Sequence, residues 1–343
     1  MGVRVIRHGF PFLAVAVTCA LLPLAAAEAQ VALKVTLDNR IEGPSAPFFL
    51  ALERGYFKDE GLEVTIDPAS PPQDPIARVA SGGYDIGYGD INNLIRHRDQ
   101  NQTAPIKAVY IVGNRPSYAV VGRKSRGVST LRDLEGMRLG APPADPATAA
   151  WPIAAKLRGV DMSKVTVLDV GIPVREPMLA AGEVDAITGS SATSPIILRA
   201  KGVPADDIVV LLMADRGVEL YGHAIFFNTK LLAEKPDAAK GFLRAFTRGL
   251  KDTVRDPDAA IGSVLRRIGG SSREVELERL RATIKDAIVT PEVAANGFGE
   301  IDAARFARAL EQLGLVYSFK TKPQPTDIFD GSFLPPQNER QLD

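Results

Sequence analysis

The chain is nearly without cysteine, poor in histidine and tryptophan, and carries no net charge. In 343 residues it holds one Cys, three His and one Trp, and 41 basic side chains balance 41 acidic ones. The lone cysteine, Cys19, and one histidine, His8, fall in an N-terminal apolar segment; removing that segment leaves no thiol and only His97 and His223. Disulfides, thiolate catalysis and Cys/His zinc sites are thereby excluded, no carboxylate cluster offers a metal site, and no cofactor is expected. The balanced charge argues against nucleic acid as a partner and against a polybasic membrane contact. A G-x-x-x-x-G-K-[ST] phosphate loop, a G-x-S-x-G nucleophile elbow and an H-E-x-x-H helix are all missing. Ser190, Asp145 and His223 have no spacing that marks a triad. The expectation is a binding protein, not an enzyme.

What is present begins with Arg4 and Arg7 ahead of an apolar run from Phe10 to Leu24, followed by Ala25-Ala26-Ala27-Glu28-Ala29. That order is a secretory signal peptide over residues 1–29, with Ala27 and Ala29 at the cleavage site and a mature form beginning at Gln30. Gly9 to Ala27 is also long enough for an uncleaved anchor, but Pro23 and the small residues suit processing better. Loss of Arg4, Arg7 and Glu28 takes the formal charge from 0 to about −1. The remaining chain, roughly 310 residues, is long enough to bury the cores of two ordinary domains without disulfides.

Strand-like and helix-like segments alternate: Val31 to Leu37, Ser45 to Arg54, Leu62 to Ile66, Pro75 to Ser81, Tyr84 to Tyr88, Ile91 to Asp99 and Ile106 to Val112. The order recurs in Met137 to Ala141, Ala147 to Arg158, Val165 to Val170, Glu176 to Ala181, Val184 to Thr188, Pro195 to Ala200 and Ile208 to Met213. This is an α/β pattern with largely parallel sheets in two similar lobes. A finer echo supports duplication, since Gly82, Asp85 and Gly89 recur 100 residues later as Gly182, Asp185 and Gly189. After a returning strand, His223 to Asn228, the pattern turns helical: Thr229 to Glu234, Pro236 to Arg255, Asp258 to Arg267, Ser272 to Ile288 and Asp302 to Leu313. Residues 30–117 and 222–319 are read as one lobe, 118–221 as the other, and 320–343 as a proline-rich tail that wraps the surface or frays.

The most specific stretch runs from Glu42 to Val64. In Gly43-Pro44-Ser45-Ala46-Pro47, Ser45 is positioned to cap a helix whose first turn holds Pro47. Leu50-Ala51, Gly55-Tyr56-Phe57 and Glu60-Gly61-Leu62-Glu63-Val64 then lead into a strand. The stretch resembles the signature of the NMT1/THI5-like substrate-binding proteins, receptors of nitrate-, taurine- and sulfonate-type ABC importers. That resemblance implies a two-lobed periplasmic binding protein fold of type II, with crossings near Arg115 to Gly122 and Asp215 to Gly222. It further implies a periplasmic, monomeric receptor that captures a small organic anion, such as a sulfonate or carboxylate, and hands it to an inner-membrane ABC permease. A sensor presenting solute to a membrane receptor is the alternative. The name-giving enzymes of the superfamily, which build a thiamine pyrimidine with a cysteine-rich segment, are the different-class alternative, and the mature chain lacks that cysteine.

In open α/β sheets ligands sit beyond the carboxyl ends of strands. That rule nominates Ser45, Ala46, Pro47, Phe48, Gly89, Asp90 and Asn92 in the first lobe and Asp145, Thr148, Gly189, Ser190 and Ser191 in the second, with Tyr118, Tyr221 and His223 near the crossings. Backbone amides at helix starts and nearby hydroxyls suit an anion. Asp90 departs from that logic: it either caps the Ile91 helix or takes a ligand amine. Phe48, Tyr118 and Tyr221 either wall the pocket or belong to the core, and His223 is a ligand contact or a structural residue. Arg175, at a helix start, is either the charge partner of an acidic ligand or paired with Glu176 or Asp169.

Overall fold

Continuous apolar runs such as 108–112 have no face to give to water, so each belongs in a sheet covered on both sides. The computed structural model describes residues 1–4, 9, 30–38, 40–69, 74–321 and 323–342; the expected leader, apart from residues 1–4 and 9, lies outside them. Among the described residues the strands are β1 (Val31–Thr36), β2 (Leu62–Asp67), β3 (Ile86–Asp90), β4 (Ile106–Ile111), β5 (Tyr118–Arg123), β6 (Arg138–Gly140), β7 (Thr166–Leu168), β8 (Ala186–Ser190), β9 (Ile208–Leu212) and β10 (His223–Asn228). They form two five-stranded sheets of the same order, β2-β1-β3-β10-β4 and β7-β6-β8-β5-β9.

Both sheets are mixed: four strands of each share one direction, in line with the largely parallel expectation, and one runs against them. β1 runs parallel to β2 and β3, and β6 to β7 and β8. β10 is antiparallel to β3 and β4, and β5 to β8 and β9. The cause is connectivity: each antiparallel strand arrives from the other lobe. Tyr118–Arg123 is therefore already strand, and the first crossing ends at Ser117 rather than running on to Gly122.

The Gly/Asp echo has a physical meaning. Gly82 and Gly182 both adopt left-handed φ, 79° and 81°, where the chain leaves a helix. Asp85 then accepts from the Lys34 amide at 2.8 Å and Asp185 from the Arg138 amide at 2.9 Å. These carboxylates stitch the entry of β3 to β1 and that of β8 to β6, so the same local solution is used in both lobes.

Helices cover the sheets: α1 (Ala46–Glu53), α2 (Tyr56–Asp59), α3 (Pro75–Ala80), α4 (Ile91–Gln100), α5 (Pro146–Leu157), α6 (Arg175–Ala181), α7 (Ser194–Ala200), α8 (Thr229–Glu234), α9 (Pro236–Arg255), α10 (Pro257–Leu265), α11 (Arg273–Thr283), α12 (Pro291–Asn296) and α13 (Ala303–Gly314). The expected helix Ser272–Ile288 is α11 continued by a π-helical turn, Ile284–Ile288. Helix α9 buries Phe242 and Phe246, which meet Phe57 at 5.0 Å and Phe48 at 4.5 Å between ring centroids. Each such phenyl contributes about 1.5–3 kcal/mol by leaving water. The tail packs on the first lobe, where Phe329 bridges to Ala108 and the buried Arg340 donates to the Phe298 and Pro335 carbonyls at 2.7 Å.

The two crossings lie side by side. The Gly222 amide donates to the Gly113 carbonyl at 2.8 Å, and the Gly113 amide to that of His223 at 2.9 Å. A Cβ on Gly113 would stand 2.9 Å from the His223 nitrogen, and one on Gly222 would stand 3.1 Å from Gly113 O, so this approach requires glycine. From α13, Arg305 donates to the carbonyls of Asn114 at 2.8 Å and Leu220 at 3.0 Å, clamping one crossing to the other.

Helix α9 reaches α1 only because Gly249 has no side chain: a Cβ there would lie 2.5 Å from the Pro47 carbonyl oxygen and 2.8 Å from Ala51 Cβ. Gly249→Ala should cost about 1–3 kcal/mol of stability by overpacking. On α10, by contrast, a Cβ at Gly262 meets only the flexible Arg266 guanidinium. Gly262→Ala should be neutral or stabilise by up to about 1 kcal/mol. Urea unfolding of the two variants checks the contrast.

Candidate functional site

The topology delivers one residue from each crossing to the same place in each sheet. His223, the first residue of β10, pairs with Asp90, the last of β3; Tyr118, the first of β5, pairs with Ser190, the last of β8. Strand ends, crossings and the starts of α4 and α5 therefore converge between the lobes.

Asp90 caps α4, accepting from the Asn92 amide at 2.8 Å and the Asn93 amide at 3.3 Å. Its second carboxylate oxygen accepts from the Tyr118 hydroxyl, which spans from the other sheet. The Asn92 side-chain amide donates to the Tyr118 hydroxyl oxygen at 3.2 Å and to the Tyr221 carbonyl at 2.8 Å. Burial pushes the Asp90 carboxyl above the usual carboxylate range, against the opposing pull of His223, Tyr118 and the two amides. Burial, and then the Asp90 carboxylate, raises the Tyr118 phenol well above its ordinary value.

Beside this group stands an aromatic wall. Tyr88 stacks on His223 at 5.0 Å and receives the edge of Phe48 at 5.2 Å. His223 Nε2 lies 2.6 Å from the Asp38 carboxylate. Burial alone would lower the imidazole, but the charge and hydrogen bond of Asp38, with Asp90 behind it, outweigh that and lift it to about 9. Asp38 and Tyr88 were not nominated from the sequence. Asp38 stands two residues beyond β1, where the strand-end rule applied to every strand would have found it, and Tyr88 lies two residues before Asp90 on the same face of β3, where strand alternation points.

In the second lobe, Asp145 caps α5 through the Ala147 amide at 2.8 Å, and Thr148 and Thr188 hydroxyls meet at 2.6 Å. Arg175 is buried, bonded to Asp145 and, at 2.8 Å, to Glu176; Ser194 closes the group on Glu176 at 2.7 Å. Its charge is thus matched twice within the lobe, and the pairing with Glu176 is the one found. A Cβ on Gly189 would meet Ser194 Oγ at 2.6 Å and Arg175 Cζ at 3.4 Å, so this glycine makes room for the ion-pair group. Ser190 contacts Ser117 at 3.2 Å, and Ser191 donates across the lobes to Asp286 of the π-turn at 2.7 Å.

The start of the Ser45 helix departs from expectation. Ser45 makes no side-chain cap to α1; its hydroxyl instead accepts from the Glu42 amide at 3.4 Å, within a short 3₁₀ turn. The Gly43 amide is taken by the buried carboxylate of Glu276 at 2.7 Å, itself held by Arg279 at 2.6 Å. The anion place that the sequence pattern offers a ligand is filled from α11. Ala46 and Pro47 are buried under α9. Tyr221 sits at the second crossing, its hydroxyl on Glu292 at 2.7 Å.

Asp145 is engaged by Arg175 and His223 by Asp38, so no Ser-His-Asp relay is assembled. Among the described residues no group of three or more His, Cys, Asp or Glu could hold a metal ion, and no helix is long and apolar enough to cross a membrane.

A family model described as NMT1/THI5 like matches residues 43–260. The riboflavin-binding protein RibY of Chloroflexus aurantiacus is 28% identical over 220 residues, 63% of this chain and 60% of that protein. The 4-amino-5-hydroxymethyl-2-methylpyrimidine phosphate synthase of Schizosaccharomyces pombe is 26% identical over 219 residues, 62% of each chain. The chain thus spans about three fifths of the length of these two relatives. The formylaminopyrimidine-binding protein of Halalkalibacterium halodurans is 26% identical over 69% of this chain and 71% of its own. Among solved structures, the periplasmic aliphatic sulphonate binding protein SsuA of Escherichia coli superposes with a TM-score of 0.67 at 13% identity, covering 91% of this chain and 92% of that one. The fold is that of periplasmic binding proteins.

The His223–Asp38 pair generates a prediction with a definite sign. A histidine raised from about 6.5 to about 9 adds stability that is fully present below pH about 6.5 and is lost as pH rises through about 9. The His223 ring should titrate near 9 in proton NMR, and Asp38→Asn should bring it to or below the ordinary histidine value. A titration unmoved by Asp38→Asn would remove the pairing.

Proposed function

The chain belongs to the NMT1/THI5-like family, and from that premise we propose that it is an extracytoplasmic solute receptor of an ABC importer. In this reading the leader 1–29 exports the chain, the monomer closes on a small molecule between its lobes, and the closed form delivers the solute to an inner-membrane permease. The observation that carries the reading is the Tyr118 hydroxyl of one sheet meeting Asp90 and Asn92 of the other, which brings both sets of strand ends to one cleft.

The solute we propose differs from the anion expected from the sequence. Asp38, Asp90 and Asp145 line the strand ends, Arg175 is already matched, and Glu276 fills the helix start at Gly43. With Asp38 paired to His223 and Asp145 to Arg175, an anion entering there would find no free cationic partner in this group and would meet the Asp90 carboxylate. The stacked Tyr88 and His223 rings suit a planar, nitrogen-bearing ring, a class that includes the molecules named for the riboflavin- and formylaminopyrimidine-binding relatives.

The synthase names among the relatives support a second reading, in which the chain transforms a pyrimidine-type molecule. One experiment separates the two. Protein purified from the cell envelope should release a single small nitrogen heterocycle for mass spectrometry, and that compound should keep its mass after prolonged incubation with fresh protein. Release of a sulfonate would overturn the proposed solute class, and steady consumption of the bound compound would overturn the receptor reading.

A further inference from the structure

We propose that the side-chain oxygen of Asn92 is the group that reads the solute, and that it accepts a hydrogen bond from an amino N–H on the ligand's ring. The inference rests on the receptor reading and deepens it. Asn92 is 4% exposed, and among the described residues nothing donates to its Oδ1. The amide cannot turn over to find a partner: its nitrogen faces the Tyr221 carbonyl, a pure acceptor, at 2.8 Å. Flipping would set oxygen against oxygen.

The neighbouring hydroxyl has a fixed direction too. Tyr118 gives its proton to Asp90, so only its lone pairs face the Asn92 nitrogen at 3.2 Å. Both oxygens of Asp90 already have donors, that hydroxyl on one and the amides of Asn92 and Asn93 on the other. In this network each donor is directed and one acceptor is left over, at the junction of both lobes and the second crossing. A buried acceptor without a donor is destabilising, so the site gains most from a ligand that supplies one.

The class of ligand follows from that gap. An amino group on a planar ring donates to Asn92 Oδ1 while the ring lies by Tyr88 and His223, which adjoin Asp90 on β3 and β10. An ether or oxo group at the same ring position would face acceptor to acceptor, and a sulfonate offers no donor. Sites that hydrogen-bond a ligand N–H discriminate strongly against isosteres lacking it.

Titration calorimetry with 4-aminopyrimidine and 4-methoxypyrimidine tests this, with ethanesulfonate as the anionic probe and circular dichroism as the check on folding. The unmodified protein should bind 4-aminopyrimidine at least about tenfold more tightly than 4-methoxypyrimidine. Asn92→Leu should bring the two within about threefold by removing the acceptor. Asn92→Ala, which removes the same acceptor with a smaller side chain, carries the test alongside the unmodified protein where Asn92→Leu does not fold. Equal affinities in the unmodified protein, a preference that survives in folded Asn92→Leu or Asn92→Ala, or no binding of 4-aminopyrimidine at millimolar concentration would each overturn the proposal. Tight binding of ethanesulfonate with neither pyrimidine bound would overturn it while leaving the receptor reading intact.

Discussion

Two peptide segments, held side by side by the Gly113–Gly222 contact and by Arg305, are the constraint on which the rest of the molecule depends. Because the chain passes between lobes there and returns, each lobe must accept a strand coming from the other, and that strand enters antiparallel beside the third strand of the sheet. Its first residue then falls opposite the end of the third strand. Tyr118 and His223 are those residues, so the crossings themselves supply side chains between the two sheets.

The cleft's electrostatics follow from helix capping as much as from ligand chemistry. Asp90 and Asp145 each stand before a helix and accept its first amides, which explains two carboxylates at strand ends without reference to a solute. Their charge still acts on whatever enters. The lobes answer differently: the second neutralises Asp145 with buried Arg175, whereas the first relies on the Tyr118 hydroxyl and the nearby His223. Buried pairs like Arg175–Glu176 gain little net stability over apolar packing, and removing one partner strands the other. The arginine therefore fixes the arrangement of α5, α6 and α7 around Gly189.

Much of the fold was legible because its signals are local. Helix α9 from Pro236 to Arg255, α8 and β10 lie at the residues read from pattern, and the Gly82/Gly182 echo marks a real repeated turn. The strand β5 was missed because Tyr118–Gly122, next to a crossing, carries no turn or cap to separate it from the crossing itself; only its partners β8 and β9 define it. Asp90 as an N-cap was readable, since capping is decided within three residues. The fates of Ser45 and the Gly43 amide were not, because the competing carboxylate, Glu276, comes from 233 residues away. Likewise nothing near Asn92 in sequence reveals that Tyr221 orients it.

The proposed receptor role requires that the two lobes move about the paired crossings and close on a small solute. Its most direct test is the distance between spin labels on the lobes, at exposed Lys58 and Val167, replaced by cysteine in protein freed of Cys19. Pulsed electron resonance should find a broad separation without solute that narrows and shifts on adding back the compound released from the purified protein. An unchanged distribution at saturating solute would contradict the account.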